Sequence, residues 1–191
     1  MNKLVIVAAA SALSAFSAGA FAAPETFNVE PTHTYPRFEY SHFGYSNQQQ
    51  RFDKTSGKIV LDRAAQTGSV DVTIDATSVN TGYALFNQHI QAEDYFDTAK
   101  FPTITFKSTK VKFEGGKPVA VDGNLTIKGV TKPVTLTVTS FHAMPHPMVK
   151  KDAIGANATT KVKRSEFNMG KNVPYVSDEV SLTIAVEAIK E

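Results

Sequence analysis

Apolar and polar side chains alternate most plainly over residues 121–141, VDGNLTIKGVTKPVTLTVTSF, through Leu125 and Ile127 and again through Val134, Leu136 and Val138. Period two along both arms predicts a β-hairpin with one face against apolar material. The other face, with Thr126, Lys128, Thr135, Thr137 and Thr139, is left in water. Residues 128–131, Lys-Gly-Val-Thr, supply the turn, and Pro133, lacking an N–H, fits where a strand enters the sheet. One-sided burial of this kind marks an antiparallel sheet.

The same period recurs along the chain. Phe27 and Val29 share a phase, as do Phe38, Tyr40 and His42; Gly57, Ile59 and Leu61; and Val70, Val72, Ile74 and Ala76. Further on come Ile104, Phe106 and Ser108 with Val111 and Phe113 beyond, then Ala156, Ala158, Thr160 and Val162, and finally Val180, Leu182, Ile184, Val186 and Ala188. With the hairpin this makes eight or nine strands. Turn residues separate them at 64–68, 114–117 and 128–129, and longer loops are expected at 142–152 and 170–178.

Residues 77–102 break the alternation. Tyr83, Phe86 and Ile90, with Leu85 and His89, fall at spacings of three and four, so one amphipathic helix of about ten residues is expected, with Thr81 as its N-cap. Residues 94–97 suggest a further helical turn, and Phe101-Pro102 restarts extended chain.

Long antiparallel strands deal with their edges by closing, and about eight of them enclose an interior able to hold side chains or one small ligand. The expected class is therefore all-β: an antiparallel eight- or nine-stranded lipocalin-like barrel capped by a short helix. Its inward phase is Phe, Val, Leu and Ile with almost no ionisable residue. Composition leaves open whether the interior is a filled core or a cavity for an apolar molecule.

The first 22 residues carry Lys3 as their only charge, an apolar run from Leu4 to Phe16, and Ala20-Phe21-Ala22 before Ala23. That pattern is a secretory signal peptide cleaved after Ala22. Residues 23–191 then form one exported domain, with no Cys after the cleavage site for lipid attachment and a bacterial periplasm as the simplest destination. No later stretch approaches the roughly 20 apolar residues of a membrane-spanning helix. The whole sequence balances 20 basic against 18 acidic residues, which argues against nucleic acid as a partner. Its zero Cys excludes thiol catalysis, Cys-ligated zinc and disulfides, and a domain of this length can be held by burial alone.

Enzymatic chemistry would fall to the five His. His33 and His42 are nine apart and would face opposite ways on one strand, while His142 and His146 lie in a loop without acidic neighbours at ligand spacing. No metal site is expected from them. There is no G-x-S-x-G nucleophile elbow, and Ser165-Glu166 beside Arg164 reads as a strand-end turn. No catalytic residue and no cofactor are assigned, and binding is favoured over catalysis. His42 reads as a core or pocket-mouth residue, and His89 as one that meets a ligand head group or packs under the helix.

Several segments, in order, carry a family resemblance. They are Glu30-Pro31-Thr32-His33 with Phe38 and Ser41-His42-Phe43-Gly44; residues 72–79, VTIDATSV; residues 96–102, FDTAKFP, with Phe106 and Ser108; residues 123–134, GNLTIKGVTKPV; and residues 164–169, RSEFNM. From Phe27 to Glu187 the chain resembles the YceI-like family of exported lipid-binding proteins. The resemblance implies an elongated antiparallel barrel, capped by the helix, holding a long apolar chain such as a polyisoprenoid, quinone tail or fatty amide, with no reaction attributed. The expected ligand-facing set is Phe38, Tyr40, His42, Ile74, Ile104, Phe106, Leu125, Ile127, Leu136, Leu182 and Ile184 on strands, with Tyr83, Phe86 and His89 near the mouth.

The chain departs from the family pattern in two places. Many relatives carry Arg shortly before and just after the His of the helical insertion, where this chain has Phe86 and Gln91, which argues against a pyrophosphate head group. Relatives also often carry a Cys pair where Ala143 and Ile154 stand, so packing is expected to hold that loop instead. Two other functional readings stay open, an interaction or stress protein with a filled core and a His-dependent enzyme. A homodimer through outer strand faces stays open too.

Overall fold

A computed structural model describes residues 23–191; the expected leader and its cleavage point lie outside the described residues. Eleven strands appear: β1 Glu25–Val29, β2 Tyr35–His42, β3 Ser46–Phe52, β4 Thr55–Asp62, β5 Thr67–Asp75, β6 Val79–Asn80, β7 Thr103–Glu114, β8 Lys117–Ile127, β9 Val130–Pro145, β10 Asp152–Lys163 and β11 Glu179–Lys190. One α-helix, α1, spans Ala84–His89.

Eight strands close an antiparallel barrel in the order β1-β4-β5-β7-β8-β9-β10-β11, with β11 returning to β1. Strand β11 serves two neighbours on one side. Its Ala188–Lys190 end pairs with β1, and Ser181–Ala185 pairs with β2, from which β3 and β6 continue outward. The expected barrel and capping helix are thus present, and β3 and β6 are additions. β3 escapes sequence reading because Asn47, Gln48, Gln49 and Gln50 show no alternation; its partner β2 and the inward Gln50 and Phe52 give it a buried face.

The opening hairpin pairs Ile127 with Val130, so its turn is the two residues Lys128 and Gly129, shorter than the four-residue turn expected. Both have positive φ, +49 and +74, as a type I′ turn requires. Pro133 sits inside β9 opposite Asn124. Counting from the turn, that is a position not hydrogen-bonded to β8, and the β10 ladder begins only at Thr137, so the missing N–H removes no bond.

Three further details correct the expectations. The loop placed at 142–152 shrinks to residues 146–151, because β9 runs to Pro145 and β10 starts at Asp152. There Ala143 pairs directly with Ile154, so the ladder, not packing alone, holds the segment. Helix α1 has six residues rather than about ten, and its N-cap is Tyr83 with no side-chain cap bond. Thr81 Oγ1 instead donates to Asn87 Oδ1 at 2.8 Å, and Gly82 at φ +80 holds the chain outside the helix.

The phase change from Ser108 to Val111 also has a structural cause. A bulge between Ser108 and Lys110 resets the alternation so that Val111 returns to the interior, and Ser108 Oγ accepts a hydrogen bond from Val70 N–H at 2.8 Å.

The connections sort into two ends. The β4–β5, β7–β8 and β9–β10 turns lie at one. The β8–β9 turn, the 76–102 segment with α1, and the 164–178 connection lie at the other, called here the mouth end. Phe27, Ile59, Leu61, Ile154 and Ala188 form a buried cluster toward the first end. A larger cluster that includes Phe38, Phe52, Phe96, Phe106, Leu125 and Phe167 occupies the rest.

Candidate ligand-binding cavity

The inward side chains do not meet across the barrel axis; they line a cavity of about 340 Å³, within the range of roughly 300–1,000 Å³ usual for ligand sites. Strand β9 shows how the sequence builds its wall. Thr135, Thr137 and Thr139 are exposed outside, whereas Val134, Leu136 and Val138 line the cavity and are only half-buried. Leu182 and Ile184 on β11 behave the same way. Inward apolar side chains that keep accessible surface are what a hollow barrel produces and a filled core does not.

Toward the mouth three rings narrow the interior. Phe38 and Phe52 lie 5.5 Å apart, and Phe96 stands edge-on to them at 5.8 and 5.4 Å. Phe86 and Ile90 reach the cavity from α1 and the residue after it.

Of the strand residues expected to face a ligand, Phe38, Tyr40, His42, Ile74, Ile104 and Phe106 line the cavity, as do Leu125, Ile127, Leu136, Leu182 and Ile184. Phe86 is the one helix residue of the three that does so. Tyr83 is exposed at the start of α1, outside the lining. His89 is also exposed and outside it, with its ring 5.2 Å from Tyr95 and 6.0 Å from Phe86. Six residues bring α1 only one inward face, and Phe86 and Ile90 occupy it.

The site contains a cation that the sequence reading treated as part of a turn. Arg164 is buried in a 3-10 turn after β10 and lines the cavity. Its Nε donates to Ser177 O at 2.8 Å, Nη1 to Lys171 O at 2.8 Å and to Met169 O, and Nη2 to Val176 O at 2.8 Å. Four carbonyls of one loop thus surround one guanidinium, and they fasten residues 169–177 across the mouth. Burial lowers the Arg164 pKa, while Asp178 favours its charged form. Arg164 could not be found from periodicity, because it lies outside every alternating strand. Phe52 was hidden by the polar run before it, and Tyr95 and Phe96 read as helix.

Tyr40 also lines the cavity, as do His42, Arg37 and Lys171, and burial pushes the Tyr40 hydroxyl pKa up. No carboxylate lines the cavity among the described residues. His33 lies elsewhere, its Nδ1 2.7 Å from Glu30 Oε2 and 4.0 Å from Glu187 Oε2 in an exposed group. No helix among the described residues is long and apolar enough to cross a membrane.

The sequence model of the YceI-like domain matches residues 27–188. Protein YceI of Escherichia coli O157:H7 is 37% identical over 178 residues, covering 92% of each chain. Among solved structures, Burkholderia cenocepacia BcnA superposes with a TM-score of 0.72 at 28% identity, covering 84% of this chain and 99% of its own. A polyisoprenoid binding domain from Saccharophagus degradans superposes with a TM-score of 0.65 over 86% of this chain and 98% of its own, and at 17% identity that likeness is one of fold.

Proposed function

Since the chain belongs to the YceI-like domain family, we propose that it holds one long apolar molecule in the barrel, for carriage, storage or sequestration, without chemical turnover. Candidate ligands are a polyisoprenoid, an isoprenoid quinone and a fatty amide, and the place of action is the periplasm after removal of residues 1–22. The observation that carries this reading is the half-buried state of the inward Leu136, Val138, Leu182 and Ile184 around a cavity without carboxylates. The fold shared with a polyisoprenoid binding domain supports the same class of ligand, and the family and that neighbour favour binding over catalysis.

The energetics favour a chain-led mode. Each buried methylene contributes about 0.8 kcal/mol, so a chain of roughly 20 carbons offers about 16 kcal/mol before several are lost to immobilisation. Extraction of the purified exported protein with organic solvent, followed by mass spectrometry, tests the reading. One apolar molecule per protein is expected. Protein that carries none and takes none up on incubation belongs to the scaffold reading.

A further inference from the structure

We propose that the mouth end docks on a lipid bilayer, with the exposed aromatic residues of the β2–β3 turn and the 170–178 loop seated in the headgroup region and the cavity opening toward the lipid. This rests on the reading of the cavity as a site for a long apolar chain, which has to be drawn from such a phase.

Strand β2 runs past the start of β11, since Glu39 already pairs with Ser181 and the chain continues to His42 before turning. The turn at its tip carries Phe43, 51% exposed, and Tyr45, 90% exposed, and the neighbouring loop carries Tyr175, 70% exposed. Phe43 and Tyr175 stack at 6.2 Å. Helix α1, at the same end, holds Tyr83 and Leu85 out to solvent.

This knob is braced. Phe43 N–H donates to Tyr175 O at 2.8 Å, Ser177 N–H to Ser41 O at 3.0 Å, and Ser41 N–H to Ser177 Oγ at 3.0 Å, while Arg164 fastens the loop from beneath. Phe43 adopts φ +51, a left-handed conformation that a bulky side chain avoids and that turns usually give to Gly or Asn. A strained backbone that holds a ring in water marks a surface built for contact.

Charge selects the partner. Residues 40–50 and 172–177 contain no Asp, Glu, Lys or Arg, although the chain is 20% charged; the flanking Lys171 and Asp178 of the loop are engaged by Asp94 and by Ser165. An uncharged surface rich in Tyr, whose rings are apolar and whose hydroxyls are polar, suits the bilayer interface. His42, Phe43 and Val176 belong both to this knob and to the cavity lining, so the surface is continuous with the cavity wall. An anionic membrane patch would instead call for a cluster of Lys and Arg.

Flotation of the ligand-free protein with phosphatidylcholine vesicles tests this. The wild type is expected to float with the vesicles, and the double variant Tyr45→Ser/Tyr175→Ser to bind at least about tenfold more weakly, a difference of roughly 1.4 kcal/mol. Met148→Ser, at the opposite end where Met148 is equally exposed to solvent, should float as the wild type does, and binding should change little between low and high salt. Failure of the wild type to float, equal binding by the double variant, or equal loss in Met148→Ser overturns the proposal. So does sedimentation showing a dimer that the double variant abolishes while vesicle binding is absent, which would assign the surface to a second copy. A prenyl probe delivered from cyclodextrin separates this outcome from the cavity reading. Tyr45 and Tyr175 do not line the cavity, so the double variant should take up the soluble probe as well as the wild type does, and uptake by neither would overturn the cavity reading.

Discussion

Gly123 on β8 makes room for Phe106 on β7: a Cβ placed on Gly123 would stand 2.5 Å from Phe106 Cζ and 2.7 Å from the Lys107 carbonyl oxygen. Both residues point into the barrel, so the missing side chain sets where the Phe106 ring can lie and how much of the interior stays hollow. Gly123→Ala should destabilise by about 1–3 kcal/mol through overpacking and push the ring toward the cavity. Chemical denaturation and ligand titration check the two effects, and the expected outcome is a loss in both.

The two faces of β8 should respond oppositely to charge. Leu125 is buried inside, whereas Thr126 lies outward with its Oγ1 2.8 Å from Thr131 Oγ1. Leu125→Asp buries a carboxylate without a partner and should cost about 3 kcal/mol or more, while Thr126→Asp should cost about 1 kcal/mol or less. Equal thermal midpoints for the two variants would contradict the assigned phase.

Arg164 gives a third expectation. Its removal leaves the carbonyls of Met169, Lys171, Val176 and Ser177 without their donor, so Arg164→Ala should destabilise by about 2–4 kcal/mol. Lys offers a single ammonium where the guanidinium spans four acceptors, so Arg164→Lys should recover only part of the loss. Hydrogen exchange over residues 169–177 reads the effect directly. Protection there should fall in both variants, more in Ala than in Lys.

The acid limb of stability should report Asp178. Burial pushes its carboxyl upward, but hydrogen bonds from Ser165 N–H and Oγ, with the charge of Arg164, outweigh that and hold its pKa below the ordinary carboxylate value. A lowered folded pKa contributes stability that is present above the unfolded value of about 3.9 and is lost as pH falls through the folded one. Asp178→Asn should therefore lower stability at neutral pH and reduce the loss on acidification below about pH 4. A pH series of denaturant midpoints that runs parallel to the wild type would contradict this.

The barrel was legible in the sequence because one-sided burial writes itself as period two, and residues such as Leu125, Leu136 and Ile184 announce their face by spacing alone. β3 was illegible because Gln48 and Gln49 are exposed and only Gln50 and Phe52 point inward, so its strand character comes from β2 rather than from its own pattern. Likewise Phe86 was readable as an inward helix residue, but the bounds of α1 were not: it starts at Ala84, with Tyr83 left as its N-cap, and ends at His89, and neither Tyr83 nor His89 lines the cavity. Arg164 was hidden for a different reason: its partners are backbone carbonyls of a loop folded over it, and carbonyls leave no mark on composition.

Titration of an alkyl or prenyl series against wild type, Phe106→Trp and Ile127→Trp tests the hollow barrel most directly. Both residues line the cavity, and a larger ring at either should shorten the space for a chain while the fold survives at a cost of about 1–3 kcal/mol. Wild-type affinity should rise with chain length by up to roughly fourfold per methylene until the cavity is full, with little dependence on salt, and both Trp variants should bind more weakly. Affinity indifferent to chain length, or unaffected by both Trp substitutions, would contradict a cavity that holds the chain.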